Sequence, residues 1–358
     1  MIKIYLNIEI QLDRFKKELN LSVRKDILSK KNIQLVDNYE KSDLIIFLVN
    51  SRINLINLPG KYNYIFETNK PIILLERLDS SVTWCRNLER IKNLKAIFKN
   101  RIIRPSRRNN QKFYNGRYHS FYIRKLIKKR GFRIKRNDKK DISTKFYQGV
   151  KKLPRMNNND LSKLKSVLWD FHSSILCRRM APYRNSEINF DSKNIDIFCI
   201  HSPHRGMIGW AREEIFNVLD EIKKNFKKKY NINLNIITGK LSPKEYIDKF
   251  KKSKICVACW GHGEWVHMDG YAMYSGVILV KPDSSHVKMT PDIYRPNETY
   301  IPCIPDFSNL EKVIKDTLDN YDQYKEMLIK NRELVMSYNQ EQCMNIFWDE
   351  ILKIYNHK

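Results

Sequence analysis

Glycine is scarce in this chain, 11 among 358 residues, so each place where it clusters is informative. No Walker-type Gly-Lys-Ser/Thr loop and no complete GxGxxG is present, which weighs against an NTPase or a dehydrogenase. No uninterrupted apolar run approaches the roughly 18 residues of a membrane span. Met1 to Ile10 alternates and carries Lys3 and Glu9, which reads as a first strand and not as a signal peptide. Cysteine is sparse, odd in number and scattered, with Cys199, Cys256 and Cys303 inside apolar runs. Buried thiols in a reducing cytoplasm are expected. Cys256 and Cys259 form a lone CxxC with no second pair at zinc spacing, so they are expected to pack and no metal site is expected.

Acid is also in deficit. Lys and Arg number 67 against 39 Asp and Glu, a formal charge of +28. Between Arg101 and Lys140 stand sixteen Lys/Arg and one acid, Asp138. A field of that density attracts nucleotide phosphates, other polyanions or anionic lipid surfaces. Peripheral contact with an anionic membrane is open to it. It equally suits a solvated insertion.

What the chain does have is apolar runs of strand length. KIYLNI, Asp43–Val49, Pro71–Glu76 and Leu94–Lys99 in the first half are short and bounded by turn residues, as buried parallel strands are. Pro154 and Asn157–Asn159 punctuate the crossing to the second half, and a helix is expected from about Asp160. The second half alternates more regularly. Ile195–Ile200 reads as a strand, followed from Trp210 by a helix with Ala211, Ile215, Phe216, Val218, Leu219, Ile222 and Phe226 along one face. Asn233–Thr238 is a strand. Ser242, Pro243 and Glu245 spell a helix start. KICVAC, VILVK and TYIPCI are further strands, helices run from about Ser308 to Ser337, and a last helix covers Gln340 to Tyr355. This order predicts a parallel sheet with helices on both faces.

The glycines concentrate in GHGEWVHMDGYAMYSGVILVKP, Gly261 to Pro282. The stretch follows the strand Ile255–Cys259, and ligands of doubly wound sheets sit beyond the carboxyl ends of the strands. Gly261 and Gly263 let the backbone approach a ligand closely. A helix beginning near Val266 aims its N–H groups into the same crevice, which suits a phosphate. Gly276 ends that helix. Glu264 suits a sugar or ribose hydroxyl better than a phosphate. An ordinary tight α/β turn would use the same residues.

The run SPKEYIDKFKKSKICVACWGHGEWVHMDGYAMYSGVILVKPDSSHV, with PDIYRPNETYIPC and DFSNLEKVI after it, resembles the donor-binding domain of GT-B glycosyltransferases, most of all the exostosin-like and spore-maturation-type branch. The shared pattern is a Tyr-bearing helix, a strand, a Gly-rich turn, a helix ending in Ala-Met-x-x-Gly and a strand ending at Pro. It covers residues 195–335 well and 1–130 loosely. The resemblance implies two Rossmann-like α/β domains facing across a cleft. Residues 1–188, with a basic insertion at about 101–140, are expected to bind the acceptor, 189–337 the nucleotide-diphosphate sugar, and 338–358 to form a helix returning to the first domain. It implies transfer of the sugar to a glycan or glycoconjugate hydroxyl, with the donor as co-substrate and no further cofactor. No Asp-x-Asp motif is present, in keeping with metal-independent GT-B enzymes.

In that frame His204 and Arg205 lie at the cleft floor, and Arg205 is a candidate diphosphate clamp. Lys240 is a candidate for the leaving diphosphate. Tyr246 either stacks on a base or packs. Gly261, His262 and Gly263 form the turn. Similar families usually place a Glu before Ala-Met, where this chain has Tyr271; Glu264 and Asp269 are the carboxylates that could replace it. If the enzyme inverts, Asp79 is the candidate base, with Glu9 and His119 behind it. Two other readings compete. One is a basic nucleic-acid-binding protein with Phe113, Tyr114, Tyr118 and Tyr122 among its cations, although no specific nucleic acid is expected. The other is a non-catalytic carbohydrate-binding relative, suggested by Tyr271.

Overall fold

A computed structural model describes residues 1–7, 25–50, 60–77, 88–104, 159, 162–167, 187–201, 206–261 and 263–357. The architecture is two Rossmann-like α/β domains, each built on a parallel sheet. The first sheet holds β1 (Ile2–Asn7), β2 (Ile33–Val36), β3 (Leu44–Asn50), β4 (Ile72–Arg77), β5 (Leu94–Lys99) and β7 (Leu164–Ser166) in the order β2-β1-β3-β4-β5-β7. The second holds β8 (Ile195–Phe198), β9 (Ile236–Ile237), β10 (Ser253–Val257), β11 (Ile278–Pro282) and β13 (Ile301–Cys303) in the order β13-β11-β10-β8-β9. All pairings within both sheets are parallel.

The apolar runs are continuous because both faces of each sheet are covered. On β3, Leu44, Ile46 and Leu48 enter one core and Ile45, Phe47 and Val49 the other. Short helices α1 (Lys25–Lys30) and α2 (Tyr64–Glu67) belong to this half. In the second half α3 (Gly206–Tyr230) lays Ala211, Ile215, Val218, Leu219, Ile222 and Phe226 against Ile197, Ile255 and Val257. Helix α4 (Pro243–Lys251) starts with the expected capping box, Ser242 accepting from the Glu245 N–H and Glu245 from the Ser242 N–H. Helices α5 (His267–Ser275), α6 (Leu310–Asp319) and α7 (Lys325–Ser337) complete this half.

The last helix, α8 (Gln340–Asn356), returns to the first sheet. Cys343, Met344, Phe347, Trp348 and Ile351 are buried there beside Ile4, Ile46, Leu75 and Phe98, and Lys31 pairs with Asp349 at 2.5 Å. Its start is fixed by Asn339, whose side chain accepts from the Gln342 N–H.

One expectation is corrected. The helix expected from about Asp160 does not run on: Leu164–Ser166 is a strand pairing with Ile97–Lys99 at the sheet edge. Tertiary pairing overrides the local helical spacing of that segment. A further pair was not anticipated: β6 (Arg101–Ile103) and β12 (Val287–Met289) form an antiparallel ribbon that joins the end of β5 to the second half. Among the described residues no helix is long and apolar enough to cross a membrane. Cys199, Cys256, Cys259, Cys303 and Cys343 are buried free thiols.

Candidate functional site

In the second sheet the strand order reverses between β8 and β10, since β8 is followed in sequence by β9 on its other side. A crevice opens at such a switch point, outside the carboxyl ends of the two strands. The glycine turn leaves β10 there. The Gly261 N–H donates to the Gly263 carbonyl at 3.2 Å, and a Cβ on Gly261 would lie 2.9 Å from Val266 Cγ1. Close packing of the turn on itself therefore demands glycine. At the far end of α5, Gly276 takes φ +59° and donates to the Ala272 carbonyl, with Ile188 packed against its Cα. This is the left-handed helix stop.

Behind the turn lies a buried charge network. Lys281, the fourth residue of β11, donates to Asp269 Oδ2 at 2.7 Å and to the Glu264 carbonyl at 2.7 Å. The Tyr294 hydroxyl donates to Asp269 Oδ2 at 2.6 Å and lies 3.2 Å from Lys281 Nζ. The Val266 N–H, at the helix start, donates to the same Oδ2 at 3.2 Å. Asp269, Glu264 and Lys281 are fully buried. Burial and the Asp269 charge push the Tyr294 phenol well above its usual range, so it stays a donor, while Arg101 from β6 pulls the other way. Glu264 Oε1 lies 3.9 Å from His286 Nε2. The Asp269 charge is paired through Oδ2 alone, and Oδ1 is buried with no hydrogen-bond partner among the described residues; leaving the charge itself unpaired at this depth would be costly.

Across the switch point, His201 follows β8. Its Nε2 is buried with no hydrogen-bond partner among the described residues. Burial, then Arg212 on α3, then Lys281, hold its imidazole down at about 3. It is neutral at physiological pH while two cations face it. The carboxyl ends of β8, β10 and β11 thus combine a glycine turn, the starts of α3 and α5, two cations and one neutral imidazole. Helix starts and a cation at strand ends suit an anion.

The residues expected from sequence fall out unevenly. Gly261, Gly263, Glu264 and Asp269 come together at the turn. Both carboxylates are buried, and Asp269 is committed to Lys281, Tyr294 and the helix start. Tyr246 and Tyr271 pack edge to face at 6.1 Å, with Phe198 and Phe250 beside Tyr246. Lys240 is exposed beyond the edge strand β9. Asp79, His204, Arg205 and His262 lie outside the described residues, as do Glu9, His119, Phe113, Tyr114, Tyr118 and Tyr122. Sequence reading passed over Lys281, Tyr294, His201 and Arg212. Lys281 carried a usable signal: a lysine inside an otherwise apolar strand covered on both faces needs a buried polar partner.

No family model matches the chain, and no curated protein matches it. Solved structures resemble it weakly. TarM is 12% identical over 87% of this chain with a TM-score of 0.39, and this chain spans only 55% of TarM. An α1,3-fucosyltransferase solved with GDP-fucose is 14% identical, covering 92% of this chain and 82% of its own, at TM-score 0.38. Anabaena HepE, solved with UDP, is 8% identical over 99% of this chain and 100% of its own, at TM-score 0.41. At these identities the reading of function rests on this chain's own side chains.

Proposed function

We propose that the chain is a glycosyltransferase that takes its sugar from a nucleotide-diphosphate donor. The observation that carries this reading is the glycine turn at the switch point of the second sheet, with Arg212 and the neutral His201 across from it. Arg212 supplies positive charge where a diphosphate would leave, Lys281 holds the turn from behind through the Glu264 carbonyl, and neutral His201 can donate to an oxygen without competing charge. The sequence resemblance over residues 195–335 points the same way. The acceptor hydroxyl, held by the first domain, attacks the anomeric carbon; the bond from that carbon to the diphosphate oxygen breaks, and nucleoside diphosphate leaves. The hydroxyl proton passes to a base, for which Asp79 remains the candidate if configuration inverts. Peripheral contact with an anionic membrane through residues 101–140 belongs to the same proposal.

The test is a screen of UDP-, GDP-, CMP- and dTDP-sugars for thermal stabilisation and donor hydrolysis, with Arg212→Ala alongside. One donor class should stabilise the protein, and R212A should weaken that class roughly tenfold or more, as loss of a charge-assisted phosphate contact does. No stabilisation by any donor, together with tight nucleic-acid binding at physiological salt, would replace the reading with the nucleic-acid one.

A further inference from the structure

We propose that Arg104 is a positioning residue that lets the first half of the chain set the loop after β11, and with it the donor seat. The proposal rests on the donor reading for what the seat holds, and on geometry for the coupling. After β5 the chain leaves the first sheet, and β6 pairs with β12 in the register Arg101 to Met289, Ile102 to Lys288 and Ile103 to Val287. Arg104 then closes the ribbon. Its N–H donates to the His286 carbonyl at 2.7 Å and its Nε to the Ser285 carbonyl at 2.9 Å. Its Nη2 lies 2.7 and 2.6 Å from the two carboxylate oxygens of Asp292. One side chain therefore grips both ends of the segment 285–292.

That segment begins one residue past Asp283 and Ser284, at the carboxyl end of β11 where Lys281 sits. His286, gripped through its backbone, carries the imidazole that lies against Glu264. Edge strand β7 braces the same segment: Ser166 Oγ is 3.3 Å from the Lys288 carbonyl, and Thr290 Oγ1 is 3.5 Å from the Ser166 carbonyl. The Arg104–Asp292 pair is itself partly exposed, at 27% and 34%. As an ion pair it adds little to stability. Its fork fixes a direction in space, which a lysine could not reproduce. A residue whose removal moves a loop more than it lowers stability is the signature of positioning.

The experiment uses the full chain and three variants: R104A, R104K and, as control, R295A, which removes the exposed Arg295–Glu298 pair at 3.2 Å. Amide exchange of residues 284–289 is measured without ligand, and UDP and GDP affinities by calorimetry. R104A should speed exchange in 284–289 and weaken the nucleotide that binds wild type by roughly tenfold, within the ordinary range of coupling energies. R104K should fall between, R295A should match wild type, and unfolding midpoints should stay close together. Unchanged exchange in R104A overturns the proposal, as does faster exchange with unchanged nucleotide affinity. If wild type binds neither nucleotide, the donor reading fails in its UDP and GDP form while the exchange arm still decides the coupling.

Discussion

Each half of the molecule buries a lysine–carboxylate pair at the carboxyl end of its sheet, and the two pairs differ in what surrounds them. In the first, Lys99 ends β5 and donates to Glu76 of β4 at 3.0 Å, both fully buried. In the second, Lys281 meets Asp269 at 2.7 Å, again fully buried. The first pair joins neighbouring strands away from the place where its sheet reverses order, which lies beside β1. The second stands next to the switch point, and its lysine also holds the Glu264 carbonyl and Tyr294. A buried ion pair alone is weak evidence for a site, because its desolvation cost offsets its attraction. Position relative to the switch point, and bonds to the backbone of the turn proposed to seat the donor, make the second pair a candidate part of the chemistry.

The largest expected effect separates these roles. Lys99→Met and Lys281→Met each strand a buried carboxylate, and each should cost roughly 3–5 kcal/mol in urea unfolding. Neutralising the partner as well, in K99M/E76Q and K281M/D269N, should recover much of that loss and keep both proteins folded. Nucleotide affinity then divides them. K99M/E76Q should bind the donor as wild type does, and K281M/D269N should lose it, because the turn no longer has Lys281 on the Glu264 carbonyl. Equal affinities in the two double variants would erase the distinction between the halves.

The same contrast shows what could be read from sequence. Runs such as Leu44–Val49 and Ile255–Val257 announce doubly covered parallel strands, and Ser242 with Glu245 announces a helix start, because these signals are local. The three-residue strands β6, β7 and β12 carry no such signal; only partners far along the chain define them. The site was half legible for a related reason. Gly261 and Gly276 stand out in a chain poor in glycine, and Lys281 signals a buried partner without naming it, whereas His201 and Arg212 acquire meaning only when three strand ends converge. Gly276 offers the middle-sized test. Gly276→Ala forces a left-handed φ on alanine and drives its Cβ to 2.5 Å from Ile188 Cγ2. It should cost roughly 1–3 kcal/mol in unfolding free energy. Gly60→Ala, in the first half, meets nothing within 4 Å and should be near neutral.

The smallest effect concerns His201, the switch-point base with no counterpart in the first sheet's pair. Its imidazole is depressed from 6.5 to about 3 by burial and by the two nearby cations. A depressed base is protonated in the unfolded chain at pH values where the folded chain leaves it neutral. Stability therefore contains no cost from His201 above about pH 6.5, and falls as pH drops from there toward 3. Each pH unit in that window contributes at most about 1.4 kcal/mol. His201→Asn should flatten the stability profile between pH 6.5 and 5 relative to wild type, as read from unfolding midpoints in urea. Donor affinity in wild type should show no inflection from this group between pH 5 and 8, since the imidazole stays neutral across that range. A His201-dependent inflection near pH 6.5 would mean that the imidazole is charged when it meets the diphosphate. It would then belong with Arg212 and Lys281 as a third cation, and the electrostatic difference between the two halves would be larger than their buried pairs alone imply.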